Sequence, residues 1–279
     1  MVTGAGGQLG RALRAQAPGV VAFRREELDI TDDAGVRAVL EPGDVLLNCA
    51  AYTAVDAAES DAAAAFARNE TGPAVLAAAC TAVGATLIHI STDYVFDGTG
   101  TSPYEPGDET GPTTVYGRSK LAGEQAVLRL APDAHIVRTA WVYTGDRRDF
   151  VATMRRLERE RETVTVVDDQ IGSPTFAPDL AAGLLELVRS VTAGADGIAP
   201  ILHATNAGRA SWFELARAVF AGVGADPDRV RPCSSAEYPS STPRPAYSVL
   251  SNRAWAEAGL TPLRDWRLAL DDALARPDQ

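Results

Sequence analysis

The stretch MVTGAGGQLGRAL, residues 1–13, constrains the fold of this chain more than any other. Strand-forming residues run straight into glycines at positions 4, 7 and 10, and then into a helix-forming run. Glycine at such spacing lets the backbone turn from strand to helix within a few residues, and it leaves the helix N-terminus open to an anion. Gly4, Gly7 and Gly10, spaced G-x-x-G-x-x-G, are therefore candidates for a dinucleotide-binding turn.

The alternation then repeats. GVVAFRREELDITDD reads as a short strand, a turn and a helix with Thr31 or Asp32 as its N-cap. GDVLLNCAAYT is a buried strand running into a loop, and ATLIHIST and HIVRTAWVY are further strands. The alanine-rich run from Val55 to Val83 is helical, with Gly72-Pro73 a break or a fresh start. Strands alternating with helices predict an α/β fold: a Rossmann-type doubly wound parallel sheet. After Phe150 the pattern changes. An amphipathic helix (FVATMRRLERERE) precedes a strand and polar loop (TVTVVDDQIGSPT), then a helix with Asp179 as cap. Ser211 to Glu214 has the spacing of a capping box, and EYPSSTPRPAYSVL is a surface loop. A dinucleotide-binding domain is expected over 1–148 and a smaller, mainly substrate-binding C-terminal domain over 149–279. Residues 176–204 are expected to return to the main sheet, because PILHATN reads as buried strand.

Composition serves mainly to exclude. The chain has 279 residues, 46% hydrophobic and 23% charged, enough for a sizeable core. A net charge of -11 without a basic stripe argues against a nucleic-acid or anionic-membrane partner. No apolar run approaches the ~20 residues that span a bilayer, and no basic-then-apolar leader is visible, so a cytoplasmic location is expected. Cys49, Cys80 and Cys233 are scattered and read as buried free thiols. His89, His135 and His203 lie in apolar, strand-like runs and read as satisfied core residues.

Three further places carry candidate chemistry. Asp29 and Ile30 follow the second strand and suit either an adenine or a helix-capping turn. Arg24, with Arg25, stands where an acidic residue would select NAD; the charge suits a 2′-phosphate, so NADPH is expected to be tolerated or preferred, although arginines after a strand are often simply solvated. In ISTDYVFDG, Ser91, Thr92 and Asp93 sit at the carboxyl end of a strand, where ligands of open α/β sheets bind, although Ser, Thr, Asp and Gly also build ordinary turns. In YGRSK, Tyr116 and Lys120 are four apart and share one helix face.

The order glycine turn, strand-end Thr, Tyr-x-x-x-Lys resembles the extended, sugar-nucleotide branch of the short-chain dehydrogenase/reductase superfamily. NCAAYTAVDAAE, STDYVFDG, YGRSKLAGEQ, RTAWVY, VVDDQIGSPT, SWFELARAVF and RPAYSVL are similar to the dTDP-4-dehydrorhamnose reductase family, from Met1 to about Leu270. The resemblance implies NADPH- or NADH-dependent reduction of the 4-keto group of dTDP-4-dehydro-L-rhamnose to dTDP-L-rhamnose. It implies that Tyr116 donates a proton and that Lys120 lowers the phenol pKa and holds the nicotinamide ribose. Gly7, Gln8 and Leu9 would touch the pyrophosphate; Ala50, Ala51, Tyr52 and Thr53 would line the cofactor; Thr92, Asp93 and Trp141 would contact the sugar. Arg244, in the loop from Pro232 to Pro245, would meet a diphosphate or stay solvated.

Departures from the family matter too. Sugar-nucleotide dehydratases carry Asp-Glu after the strand-end Thr; here Asp93 is followed by Tyr94, which disfavours dehydration. Only three residues precede Gly4, fewer than the full first strand of relatives. Some relatives are dimers bridged by Mg²⁺ through a glutamate after the glycine turn, where this chain has Ala12. No metal site and a monomer or weak homodimer are expected. Two alternatives stay open: another extended-branch reductase or epimerase, and a non-catalytic subunit resembling the regulatory β-subunit of methionine adenosyltransferase.

Overall fold

The computed structural model describes residues 1–146, 149–238 and 242–276. Strand β1 (Val2–Thr3) leads through the glycine turn into helix α1 (Gln8–Gln16). There follow β2 (Ala22–Phe23), α2 (Asp33–Val39), β3 (Val45–Asn48), α3 (Val55–Ser60) and α4 (Ala62–Phe66). A π-turn at Ala67–Thr71 carries α4 without a gap into α5 (Gly72–Val83), so Pro73 marks a fresh α-helical start inside continuous helix. Then come β4 (Thr86–Thr92), α6 (Val115–Leu130), β5 (His135–Thr139) and β6 (Val142–Tyr143). The second half holds α7 (Phe150–Glu160), β7 (Val164–Val167), β8 (Ile171–Gly172), β9 (Thr175–Phe176) and α8 (Ala177–Thr192). It closes with β10 (Ile201–His203), β11 (Ala210–Ser211), α9 (Trp212–Gly222), β12 (Val230–Cys233), α10 (Arg253–Glu257) and α11 (Trp266–Leu274).

Among the described residues the main sheet has six parallel strands in the order β10-β5-β4-β3-β1-β2. Neighbouring residues on a strand face opposite ways, and this alternation builds two cores. Leu47, Ile88, Val137 and Leu202 pack with α1 and α8, while Leu46, Leu87 and Ile136 pack with α2, α5 and α6. The sheet is covered on both faces, which is the Rossmann-like arrangement. A third core forms around Met154, Val166, Phe176, Phe220, Trp266 and Leu270, from α7, β7, β9, α9 and α11. The β10 strand pairs with β5, and α8 packs on α1, so this stretch belongs to the main sheet while its neighbours on either side build the third core. Arg148, where the first domain was expected to end, and the chain's last three residues lie outside the described residues.

Three local expectations need correction. Asp179 is no cap: Pro178 presets the helical backbone, so α8 begins at Ala177. The Asp179 carboxylate instead accepts from Arg264 Nε at 2.8 Å and Asn206 Nδ2 at 2.8 Å. His203 is buried, but neither ring nitrogen completes a hydrogen bond, although backbone groups of Tyr104 and Ser251 lie nearby. It stands edge-on to Phe96, and burial, with Arg138, lowers its pKa to about 3. Of the three free thiols only Cys80 belongs to a fully buried residue, because Cys49 and Cys233 lie at strand ends where the sheet opens. The capping box on α9 is present with both reciprocal bonds. Among the described residues no helix is long and apolar enough to cross a membrane, and no cluster of three His, Cys, Asp or Glu is placed to hold a metal.

Candidate active site

Helix α6 fixes the central pair. Thr114 Oγ1 accepts from the Gly117 N–H at 3.0 Å, and Glu59 Oε1 accepts from the Val115 N–H at 2.7 Å. With the start of the helix held on both sides, Tyr116 and Lys120 project from one face into the same region, and both are buried. Buried Asn69 ties this helix to the loop after β3: its Nδ2 donates to Ser119 Oγ and to Tyr52 O, and its Oδ1 accepts from Tyr52 N.

Burial also decides the protonation states. It pushes the Tyr116 phenol up to about 12, with the Thr92 hydroxyl beside it acting the other way. Tyr116 is therefore protonated at neutral pH and equipped to donate. Burial lowers Lys120 to about 8, against the opposing pull of Glu124 and Cys49. Its Nζ donates to Ile90 O at 2.6 Å and lies 3.2 Å from His89 Nε2. Asp93 is buried as well, and desolvation raises its carboxyl to about 6, against the opposing pull of the Ser248 and Thr92 hydroxyls. Thr92 Oγ1 donates to Asp93 Oδ1 at 3.0 Å, whereas Oδ2 completes no hydrogen bond.

These groups line a cleft of about 500 Å³ at the carboxyl ends of the strands. Gly4, Gly7, Gln8 and Leu9 form one wall, Ala51 and Thr53 another, and Thr92, Asp93, Tyr116, Lys120 and Trp141 complete it. Gly4 has φ +70°, a left-handed conformation in which a side chain would be strained, and no side chain caps α1. The first N–H groups of α1 thus meet the cleft without a side-chain acceptor, which suits a pyrophosphate. Buried Gln8 Oε1, Ser91 Oγ and Thr139 Oγ1 also lack hydrogen-bond partners. The residues present fit a dinucleotide.

The remaining sequence candidates stand elsewhere. Gly10 is under the turn, where a Cβ would come 2.7 Å from Ala5 Cα; its smallness lets α1 pack against the backbone of the turn. Ala50 and Tyr52 belong to the β3 loop without lining the cleft. Asp29 accepts from Thr31 N at 3.0 Å and Thr31 Oγ1 at 2.8 Å, Ile30 is buried in the core, and Arg24 is exposed; none of the three lines the cleft. Arg244 lines a second cleft of about 780 Å³, with Phe150, Met154, Val166 and Tyr238, and pairs with Asp56 at 2.7 Å. Residues 239–241 of that loop lie outside the described residues.

The residue between the clefts carries hardly any mark of a site residue in the sequence. Trp212 lines both and stacks on Trp141, with centroids 3.5 Å apart and planes 6° from parallel. Its one signal in the sequence was an indole directly after a helix cap, SWFE. Trp141 itself has φ 46°, a left-handed conformation that costs a non-glycine residue ~1–2 kcal/mol. Thr3, Asn48 and Asn69 are not marked in the sequence either, because nothing local singles out a buried polar residue whose partner is far away in the chain.

A protonated phenol and a buried amine facing an anion-binding turn, all on one edge of a doubly wound sheet, place this protein among the short-chain dehydrogenase/reductases. Comparison narrows the class. The family model described as "RmlD substrate binding domain" matches residues 1–278. A dTDP-4-dehydrorhamnose reductase of Mycobacterium tuberculosis is 57% identical, over 99% of this chain and 92% of its own. The crystal structure of a dTDP-4-dehydrorhamnose reductase from Clostridium acetobutylicum superposes with a TM-score of 0.90 at 39% identity, covering 98% of this chain and 97% of that one. One from Bacillus anthracis, in complex with NADP, gives 0.90 at 37% identity, covering 97% and 96%. The chain belongs to the dTDP-4-dehydrorhamnose reductase family.

Proposed function

We propose that the protein reduces the 4-keto group of dTDP-4-dehydro-L-rhamnose to give dTDP-L-rhamnose, using NADPH or NADH. The observation that carries this reading is the meeting of Thr92, Tyr116 and Lys120 with the glycine turn in one cleft. The dinucleotide, when bound, supplies the hydride. The start of α1 at Gly7, Gln8 and Leu9 binds its pyrophosphate, Ala51 and Thr53 of the loop after β3 line it, and Lys120 holds its nicotinamide ribose. The Thr92 hydroxyl, turning from Asp93 when substrate binds, donates its one hydrogen bond to the keto oxygen and polarises the carbonyl. Tyr116 Oη gives its proton to that oxygen as it gains charge. Trp141 and Asp93 hold the sugar against this pair.

The second cleft opens beside Trp212 and carries an apolar wall with Arg244 at its edge. It suits the nucleotide of the substrate, with Arg244 turning from Asp56 to the diphosphate. Main sheet and third core accordingly divide the work: dinucleotide on the first, sugar nucleotide on the second. A non-catalytic role would give no reason to bury a lysine, a phenol and a carboxyl along one open cleft. We further propose a cytoplasmic enzyme, monomeric or weakly dimeric and independent of metal; Ala12, on α1, packs into the core beside α8.

The test is turnover of dTDP-4-dehydro-6-deoxyglucose with and without a 3,5-epimerase, following NADPH oxidation and identifying the product by NMR. Epimerase-dependent formation of dTDP-L-rhamnose supports the reading. NADPH oxidation without epimerase, giving a different 6-deoxysugar, moves the protein to another reductase of the branch.

A further inference from the structure

Behind Lys120 lies a row of polar side chains that the proposed reaction does not use. Thr3 is paired with Asn48 across β1 and β3, and Asn48 with His89 across β3 and β4, so the three occupy one rung of the sheet. All three are buried, as is the lysine on which the rung ends. Buried polar groups at successive strands are costly unless each finds its partner. Here each does. Thr3 Oγ1 donates to Asn48 Oδ1 at 2.7 Å, Asn48 Nδ2 stands 2.9 Å from His89 Nδ1, and His89 Nε2 stands 3.2 Å from Lys120 Nζ.

The direction of these bonds is set by one backbone group. The Ala50 N–H donates to Asn48 Oδ1 at 3.1 Å, and an N–H has no other role. That bond fixes which end of the amide is oxygen, so the NH₂ end faces His89 and Nδ1 must accept. A neutral imidazole carries one N–H, which is then on Nε2 and directed at the lysine nitrogen. His89 is neutral, since burial first, and Lys120 second, hold its pKa well below the usual value. An ammonium has no lone pair to receive the Nε2 proton; a free amine does, and it still donates to Ile90 O.

We propose that the Thr3–Asn48–His89 rung is a positioning device that favours Lys120 as a free amine, hydrogen-bonded by the Nε2–H of His89. The other groups around the lysine do not oppose this strongly. Glu124, one turn along α6, is held by both Arg138 Nε and Nη2, at 2.9 and 2.7 Å. The Cys49 thiol is pushed up to about 12 by burial of its sulfur, and is neutral. Tyr116 is a neutral phenol, and Asp93 spends one oxygen on Thr92. The consequence, which rests on the reductase reading, is that Lys120 exchanges a proton within the working pH range instead of being a permanent cation beside Tyr116. The rung thereby sets the pH above which turnover falls.

The chain has 3 histidines, so ¹⁵N-imidazole NMR resolves His89 directly. The expected spectrum of the protein without substrate shows the Nε2–H tautomer with a bare Nδ1. Asn48→Asp keeps the shape but replaces the NH₂ donor by a charged acceptor, so the ¹⁵N tautomer of His89 is read together with the pH profile to separate the switch from the added charge. The variant is expected to switch His89 to Nδ1–H, turn Nε2 into an acceptor for the ammonium, and raise the basic limb of the kcat–pH profile by about one pH unit or more. If that variant does not fold, His89→Gln, whose amide oxygen accepts from an ammonium, is expected to raise the same limb. An Nδ1–H tautomer in the unmodified protein overturns the proposal, and so does a folded variant of either kind whose basic limb stays put. Absence of keto-sugar reduction by the unmodified protein sinks the reductase reading instead, and leaves the tautomer result standing.

Discussion

Replacing Asp93 with asparagine tests the electrostatics of the cleft by a stability measurement that needs no substrate. The carboxyl titrates at about 6 in the folded chain against a reference value of 3.8, because burial penalises its charge. Between those values the folded state binds more protons than the unfolded one, so stability falls as pH rises through the window. Below about pH 3 both states are protonated and the cost is absent, while at pH 4 the unfolded carboxyl is already more than half ionised and ~0.5 kcal/mol of the cost is present. Above pH 6 to 7 it is fully present: the difference between about 6 and 3.8, at ~1.4 kcal/mol per pH unit, is about 3 kcal/mol. The substituted amide carries no charge at any pH. It changes local hydrogen bonding too, because an NH₂ beside the Thr92 and Ser248 hydroxyls donates where the carboxylate accepts. That contribution is the same at both pH values and cancels. The quantity to measure is therefore the variant's stability relative to the unmodified protein, by urea unfolding at pH 7.5 and again at pH 4. The relative stability of the variant should be higher at pH 7.5 than at pH 4 by about 2.4 kcal/mol, the full cost less the part already present at pH 4. A difference constant to within about 0.5 kcal/mol between the two pH values would refute the buried-carboxylate account.

Other perturbations follow from the same geometry. Tyr116→Phe removes the donor and keeps the ring, so dinucleotide affinity should stay near that of the unmodified protein while kcat falls ~10²–10⁴-fold; an unchanged kcat removes Tyr116 from the mechanism. At Gly172 a Cβ would stand 2.6 Å from Trp141 Cζ2. Gly172→Ala should therefore displace the indole stack, cost ~1–3 kcal/mol and raise the KM for the sugar nucleotide, with the shift visible in tryptophan fluorescence. Glu124→Gln leaves Arg138 buried without its carboxylate, and a loss of ~3–5 kcal/mol is expected in denaturant titration; a loss below about 1 kcal/mol would mean that the cation–π contact with Phe96 and the bond to Pro106 O suffice for the arginine.

The glycine turn, the Thr114–Gly117 start of α6, the Tyr116–Lys120 face and the Ser211 capping box each depend on residues within a few positions of one another. Backbone sterics and helix periodicity act over that range, so such features are legible without a fold. The alternation of apolar runs likewise announced a doubly wound sheet, because each strand buried on both faces must be apolar throughout. A competing local signal misleads at one place: Asp179 looks like a cap, but Pro178 starts the helix earlier and frees the carboxylate for Arg264.

How distant polar residues pair was not legible in this way. Thr3 and Asn48 are 45 residues apart, and Asn48 and His89 are 41 apart. They meet because neighbouring parallel strands fall into a register set by the burial of Leu46, Leu47, Leu87 and Ile88 on two opposite faces. In the sequence each of the three reads as a polar interruption of an apolar run. In the sheet they share a rung that ends on buried Lys120. The Trp141–Trp212 stack is of the same kind, joining the main sheet to the third core. Desolvation is the reason these long-range pairings matter to chemistry: the shifts of Asp93, Tyr116 and Lys120 come first from burial, and burial is a property of the packed chain.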